Sequence, residues 1–313
     1  MAPPPDDHAV VPRSPHPWTA PTDARGGVAL SWLVVLLVGA IPAILCQELF
    51  GAIPQWLAAA QAGVVLALLV VALAVPRLRP LWRFGVVTGA LLLLTWASGA
   101  ISLGLPGVLP LSDASSFDAR MQAEQLEKLA VALAMIAVLL VLRVRPREFF
   151  LSPGDLTAPI RPVPILGFPK PDSWRRFGLI WGFGIAAALA VVQALLLRPT
   201  PAAVAALLPM APGILAYAAL NAFTEEMTYR APMLATLEPV IGGRNALWQS
   251  AVFFGVAHYF GIPGGLIGAA LSIFMGWMLS KAMLETRGLF WAWWIHFLSD
   301  VVIFSFVALA LGG

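Results

Sequence analysis

Residues 213–230 read GILAYAALNAFTEEMTYR, an apolar stretch that ends in two adjacent glutamates and an arginine. Glu225, Glu226 and Arg230 therefore lie within a segment, about 204–234, that has the length and composition of a membrane-spanning helix. An ionisable side chain at the centre of a bilayer costs roughly 2.5–3.5 kcal/mol on insertion scales, so such residues usually serve a function. The stretch predicts both a membrane helix and a functional site on it.

The whole chain has the composition of an integral membrane protein. Its 313 residues are 60% hydrophobic and 11% charged, whereas soluble domains average about 45–50% apolar and about 25% charged residues. The apolar segments predict an all-α fold, a polytopic transmembrane helix bundle of about nine spans. These spans are expected near residues 28–46, 56–75, 84–105, 126–142, 177–197, 204–234, 245–260, 265–284 and 289–311. In the sixth span, Pro209 and Pro212 predict a kinked or partly unwound outer end.

Composition along the chain divides it into four regions. Residues 1–26 are polar and Pro-rich and are expected to form a disordered cytoplasmic tail. Residues 27–142 hold the N-terminal transmembrane helices, and 143–176 form a basic, Pro-rich cytoplasmic linker. Residues 177–313 form a second helix bundle, which holds every charge expected deep in the membrane. No internal repeat is present, which argues against a transporter built from duplicated halves.

The distribution of lysine and arginine predicts the orientation. Alternating loops of a nine-span chain place fifteen of these residues on one side and three, Arg120, Lys128 and Arg198, on the other. Because cytoplasmic loops carry the excess of basic residues, we expect the N-terminus and the linker in the cytoplasm.

Histidines accompany the charges of the second bundle. The chain has four, of which two lie in the N-terminal tail and the others are His258 and His296. His258 follows Phe254 by four residues, and Asp300 follows His296 by four, so each pair shares a helix face. Burying the polar faces of three helices together is the favourable arrangement in lipid.

These residue types suit the hydrolysis of a peptide bond. A carboxylate and an imidazole can hold and deprotonate a water molecule, and a second imidazole can donate to the oxyanion that forms. In this interpretation Glu226 and Arg230 neutralise each other, four residues apart, and Glu225 is left to act. Alternatively, Glu225, His258 and His296 could hold zinc. The common His-Glu-x-x-His signature of zinc proteases is absent. The residues do not decide between the two mechanisms, and a metal-independent glutamate mechanism is the favoured interpretation.

Simpler explanations exist for each residue taken singly. Glu226 and Arg230 could form a purely structural ion pair, and His258 could anchor a helix end at the membrane interface. Intramembrane acids and histidines also build the relays of proton- or ion-coupled transporters. A non-catalytic membrane scaffold or immunity protein is the other alternative. Taken together, these explanations account poorly for the placement of both non-tail histidines and of three intramembrane acids, Glu225, Glu226 and Asp300, in this part of the chain.

The ordered motifs Glu-Glu-x3-Arg, Phe-x3-His and His-x3-Asp resemble those of the CPBP family. This family includes the type II CAAX prenyl proteases and the bacteriocin-processing or abortive-infection proteins. The resemblance covers roughly residues 175–311, and the first half of the chain adds nothing to it. It implies an intramembrane endopeptidase whose active site lies in a cavity open to the cytoplasm, with residues 177–313 as the catalytic bundle.

The resemblance also implies a role for each residue of the motifs. Glu225 and His258 would activate the water, and His296 and Asp300 would stabilise the oxyanion. Glu226, Arg230 and Phe254 would support the site. Family members often have Asn where this chain has Asp300, and an ionised Asp cannot donate a hydrogen bond. Asp300 is therefore expected either to be protonated or to orient His296.

The expected partners are membrane lipid and a peptide or protein substrate, with a lipidated substrate as one alternative. No nucleic-acid partner is expected, and the sequence does not define an oligomeric state. The Ala-, Gly- and Pro-rich composition suggests a bacterial inner-membrane protein with a peptide-processing or self-immunity role.

Overall fold

The computed structural model describes residues 24–100, 115–261 and 263–312. Nearly all of them are helical, so the predicted all-α bundle is confirmed. The predicted disordered tail lies almost entirely outside the described residues. The helices are α1 (Arg25–Val38), α2 (Ile41–Phe50), α3 (Trp56–Ala74), α4 (Trp82–Ala100), α5 (Ser115–Val141), α6 (Trp174–Leu197), α7 (Pro201–Ala205), α8 (Leu207–Glu225), α9 (Ala231–Ile241), α10 (Gly243–Ala257), α11 (Gly265–Thr286) and α12 (Phe290–Gly312).

Each of the nine predicted spans corresponds to a helix or a helix pair, but the count of nine spans is not confirmed. Within the described ranges, six helices are long and apolar enough to cross a membrane, or seven if the bent pair α1–α2 is one span. α5 carries many charged side chains along its N-terminal half. α10 has 15 residues, about 22 Å at 1.5 Å per residue, whereas the hydrocarbon core is about 30 Å thick.

The glutamate helix is a composite of several elements. The short helix α7 is separated from α8 at Ala206, and Pro212 is accommodated within α8. The predicted irregularity at the outer end is therefore a break before the prolines. α8 continues through a π-helical turn, Glu226–Arg230, into α9. The composite runs from Leu207 to Ile241.

The linker between α5 and α6 is folded. It contains two short antiparallel strands, β1 (Pro159–Ile160) and β2 (Asp172–Ser173), in which Ile160 pairs with Asp172. Linker side chains such as Phe149, Phe150 and Ile160 are fully buried. These residues pack into the hydrophobic core of the bundle, so the linker is part of the folded domain.

Hydrogen bonds join the linker to the turn between α11 and α12. The Trp291 indole donates to the Leu156 carbonyl at 3.0 Å, and the Asp155 amide donates to the Thr286 carbonyl at 2.8 Å. These bonds fix the start of α12, the helix that carries His296 and Asp300.

Helix contacts bring the two halves of the chain together. α12 contacts α6, α8 and α11, and α10 contacts α9 and α11. From the first half, α5 contacts α4 and α8. The glutamate helix is therefore enclosed by α5 on one side and by α10 and α12 on the others.

Candidate active site

The two glutamates occupy the junction between two kinds of helix. Glu225 is the last residue of α8, and Glu226 is the first residue of the π-helical turn. Short π-helical segments occur frequently at functional sites because they re-aim the side chains they carry. The two carboxylates reach different partners, as their angular separation on a helix predicts.

Glu226 forms the buried centre of the site. Its Oε1 accepts a hydrogen bond from the Arg230 guanidinium, so the ion pair predicted from the four-residue spacing is present. The same oxygen lies 2.9 Å from His296 Nδ1. Glu226 and Arg230 are completely buried, and His296 is 6% exposed. A charge that is buried in this way persists only when it is paired.

Glu225 faces a cavity and is less enclosed, with 16% of its side chain exposed. Its Oε1 lies 3.2 Å from Lys128 Nζ, and its Oε2 lies 3.6 Å from His296 Nε2. A separation of 3.6 Å exceeds a direct hydrogen bond, yet it allows one water molecule to contact both atoms. Glu225 thus has one oxygen held by a cation and one facing an imidazole.

The cavity beside Glu225 has a volume of about 320 Å³. Its walls come from α4, α5, α8 and the π-helical turn, and every lining residue except Val131 has a polar or charged group in its side chain. The lining residues are Thr95, Ser98, Glu124, Glu127, Lys128, Val131, Thr224, Glu225, Thr228 and Tyr229. Helices α4 and α5 of the first half therefore form much of the cavity wall. The sequence did not predict this contribution.

Asp300 lies on the other side of the His296 ring from Glu226. Its Oδ2 is 3.6 Å from His296 Nε2 and accepts a hydrogen bond of 2.9 Å from Asn221 Nδ2. Asp300 is 4% exposed. The contact with Asn221 uses the carboxylate as an acceptor, which is the arrangement expected of a group that orients His296.

His258 and Phe254 are joined to the site through aromatic contacts. His258 Nδ1 lies 3.0 Å from the Phe254 carbonyl, and the two rings are 4.5 Å apart. The Phe254 ring also contacts His296 edge-on at 6.1 Å and lies under the Arg230 guanidinium at 4.5 Å. Within the described residues, no hydrogen bond or ion pair connects His258 to Glu225. The structure thus brings Glu225, Glu226, His296 and Asp300 into direct contact and leaves His258 one ring away.

The alternative zinc site is not assembled in this arrangement. Among the described residues, no group of three His, Cys, Asp or Glu side chains is placed so as to hold a metal ion. Glu225 contacts Lys128, and His258 contacts a backbone carbonyl. Glu225, His258 and His296 therefore do not fit zinc as they stand.

Two polar residues of the site were missed in the sequence. Lys128 was counted as a loop cation on the outer side, but it lies within α5 and contacts Glu225 and Asn221. Asn221 lies four residues before Glu225, and its amide joins Lys128 to Asp300. The four-residue spacing of Asn221 from Glu225 could have indicated a shared helix face. The first half of the chain therefore contributes a charged side chain to the site, which the sequence did not predict.

The fold and the site define a class: a polytopic membrane protein with paired acids and histidines buried between its helices. Residues 205–302 match the family model described as Type II CAAX prenyl endopeptidase Rce1-like. The match supports an Rce1-like domain of the CPBP family at residues 205–302, and with it a CAAX-protease-like activity on a peptide in a lipid environment. The matched range includes all seven residues of the three motifs. Comparisons with curated proteins and with solved structures found no match.

Proposed function

We propose that the protein is an intramembrane endopeptidase in which Glu225 activates a water molecule for attack on a peptide bond. The observation that carries the proposal is the approach of Glu225 Oε2 to His296 Nε2 at 3.6 Å beside a polar cavity. A carboxylate and an imidazole at this separation can share one water molecule. The match to the protease family model supports the reaction class.

In the proposed reaction, Glu225 Oε2 takes a proton from the water molecule while the oxygen of the water bonds to the scissile carbonyl carbon. The carbonyl oxygen becomes an oxyanion in the resulting tetrahedral intermediate. Glu225 then gives its proton to the amide nitrogen as the carbon–nitrogen bond breaks. One carboxylate can thus serve as base and then as acid, and atoms and charge balance.

His296 is assigned to the oxyanion. Glu226 holds its Nδ1, so a ring that carries both protons has its Nε2–H available to the substrate. Asp300, which contacts Asn221 and His296, is assigned to orientation of the ring. Donation to the oxyanion comes from the imidazole, since an ionised carboxylate has no proton to donate.

His258 has a fixed ring orientation. A backbone carbonyl can only accept, so Nδ1 carries the proton in the contact with Phe254, and Nε2 of the neutral ring is an acceptor. An acceptor nitrogen on His258 can accept a hydrogen bond from the water molecule and so assist the candidate base Glu225. We expect substrate and water to bridge the gap between His258 and Glu225, because catalytic contacts are often long in the absence of substrate.

We further propose a bacterial inner-membrane location with the N-terminus in the cytoplasm and the cavity accessible from that side. Peptide processing or self-immunity fits this location, and a prenylated CAAX substrate is the alternative. The excess of basic residues around the linker supports the orientation.

The test is peptide hydrolysis by the purified protein in liposomes against a peptide library, with prenylated and unprenylated forms of the same CAAX peptides. Wild type, Glu225→Gln and Glu148→Gln are compared, because Glu148 is an exposed linker glutamate. We expect cleavage by wild type and Glu148→Gln and none by Glu225→Gln, with no effect of a metal chelator. Equal cleavage by Glu225→Gln would contradict the assigned base, and loss of activity with chelator would favour the zinc alternative.

A further inference from the structure

Lys128 is a cation placed inside the bundle, outside the Rce1-like domain. It lies on α5, and its ammonium group has three partners on two helices. Nζ lies 2.7 Å from Asn221 Oδ1, 3.2 Å from Glu225 Oε1 and 3.1 Å from Glu124 Oε1. An ammonium group has three protons, so these contacts can use its full donor capacity.

The contact with Glu124 does not by itself explain the position of this lysine. Glu124 is four residues before Lys128 on the same helix and is exposed, and such pairs typically contribute little to stability. The other two partners lie on α8, and they tie the first half of the chain to the glutamate helix. A half-buried lysine with partners on a neighbouring helix is typical of a site residue in a membrane protein.

Asn221 extends the effect of Lys128 to a second carboxylate. Its carbonyl oxygen accepts from Lys128, and its amide nitrogen donates to Asp300 Oδ2 at 2.9 Å. The Lys128 cation favours the carbonyl oxygen of Asn221 on its side, and the Asp300 carboxylate favours the amide nitrogen on the other side. Lys128 therefore contacts Glu225 directly and Asp300 through Asn221, and these are the two carboxylates that flank His296 Nε2.

We propose that Lys128 is a positioning residue for the candidate base Glu225, and that Asn221 transmits its effect to Asp300. By occupying Oε1 of Glu225, Lys128 leaves Oε2 as the oxygen that faces His296 and the water. It also offsets the repulsion between two carboxylates near one imidazole. The inference rests on the proposed function and adds that the Rce1-like domain needs α5 for full activity.

The experiment measures kcat and KM for peptide cleavage in liposomes by wild type, Lys128→Met and Lys128→Arg. Arg120→Met is the control, because Arg120 is an exposed cation on the same helix. Rates are normalised to the folded, monodisperse protein. We expect Lys128→Met to lower kcat by about 100-fold, the effect of misplacing a catalytic group, while KM stays near the wild-type value. Lys128→Arg should recover most of the loss, and Arg120→Met should match wild type.

A kcat of Lys128→Met within a factor of a few of wild type would overturn the inference, even if its melting temperature falls. A kcat of Lys128→Arg as low as that of Lys128→Met would also overturn the inference, because restoring the positive charge would then not restore activity. Activity lost in Glu225→Gln but kept in Lys128→Met would leave the proposed function standing and remove only the role of Lys128.

A second measurement does not depend on activity. Melting temperatures of Lys128→Met, Glu225→Gln and the double variant form a cycle that isolates the coupling of the two side chains. We expect the double variant to be more stable than the sum of the single effects predicts, because neither charge is then left without its partner. Additive effects would overturn the pairing even if wild type cleaved no peptide.

Discussion

Glu226 Oε1 lies 2.9 Å from His296 Nδ1, and the same oxygen accepts from the Arg230 guanidinium. One buried carboxylate therefore both orients the imidazole and neutralises the guanidinium. Because Nδ1 is held, Nε2 must face Glu225 and Asp300, each 3.6 Å away. The side chain that seemed a structural partner in the sequence thus fixes the geometry of the candidate catalytic histidine.

Replacing Glu226 by glutamine should strongly lower the activity of the folded protein, and it should also lower stability because the buried Arg230 guanidinium loses its carboxylate partner. An amide in place of a carboxylate that orients a histidine favours the wrong ring tautomer, and in a serine protease triad this costs about 10⁴-fold. We expect a loss of about 10²-fold or more in kcat, measured in liposomes. Glu238→Gln is the matched control, since Glu238 pairs with Arg287, whose side chain is 49% exposed. A Glu226→Gln variant with wild-type kcat would contradict the orienting role.

Removing Arg230 should destabilise the fold. Arg230→Met leaves the fully buried Glu226 charge without its main cation, and breaking a buried pair in this way costs about 3–5 kcal/mol. The double variant Arg230→Met/Glu226→Gln should recover part of this loss, because it removes the uncompensated charge. Thermal unfolding in detergent measures both effects. Equal stability of Arg230→Met and wild type would mean that the pair contributes little.

The ring of Phe254 should matter through its aromatic character. Phe254→Leu keeps an apolar side chain but loses the contact with His258 and the cation–π contact with Arg230, worth about 0.5–2 kcal/mol. We expect a moderate fall in melting temperature together with a clear fall in kcat. Phe253→Leu, which changes the neighbouring ring that packs near Gly39, should affect stability alone. An unchanged kcat in Phe254→Leu would argue against alignment of His258 by this ring.

The contact of α10 with α11 should require glycine at position 255. A Cβ there would overlap the backbone of Ile273. Gly255→Ala should therefore destabilise the protein by about 1–3 kcal/mol, the usual effect of overpacking, and should disturb His258, which directly follows this helix. Gly184→Ala is the control, because a Cβ at this exposed α6 position meets no atom within 4 Å. We expect its melting temperature to be unchanged or higher.

The helices were predictable from sequence because each apolar segment must satisfy its own backbone hydrogen bonds in lipid. The ion pair of Glu226 with Arg230 followed from local spacing for a similar reason, since both residues lie on one helical element. The span count was less predictable. α5 is helical despite its charges, and α10 is helical with only 15 residues, so neither is identified as a membrane span by length and composition and the count of nine is not confirmed.

What the sequence by itself determined was the helical membrane fold and the set of acids and histidines that belongs to its second half. Those properties depend on hydrophobicity and on residue spacing within single helices. Only the tertiary structure decided that Lys128 and Asn221 join the site and that His258 forms its hydrogen bond with the Phe254 carbonyl. Such contacts depend on the register and rotation of helices far apart in the chain, which packing of the whole bundle fixes and no local pattern encodes.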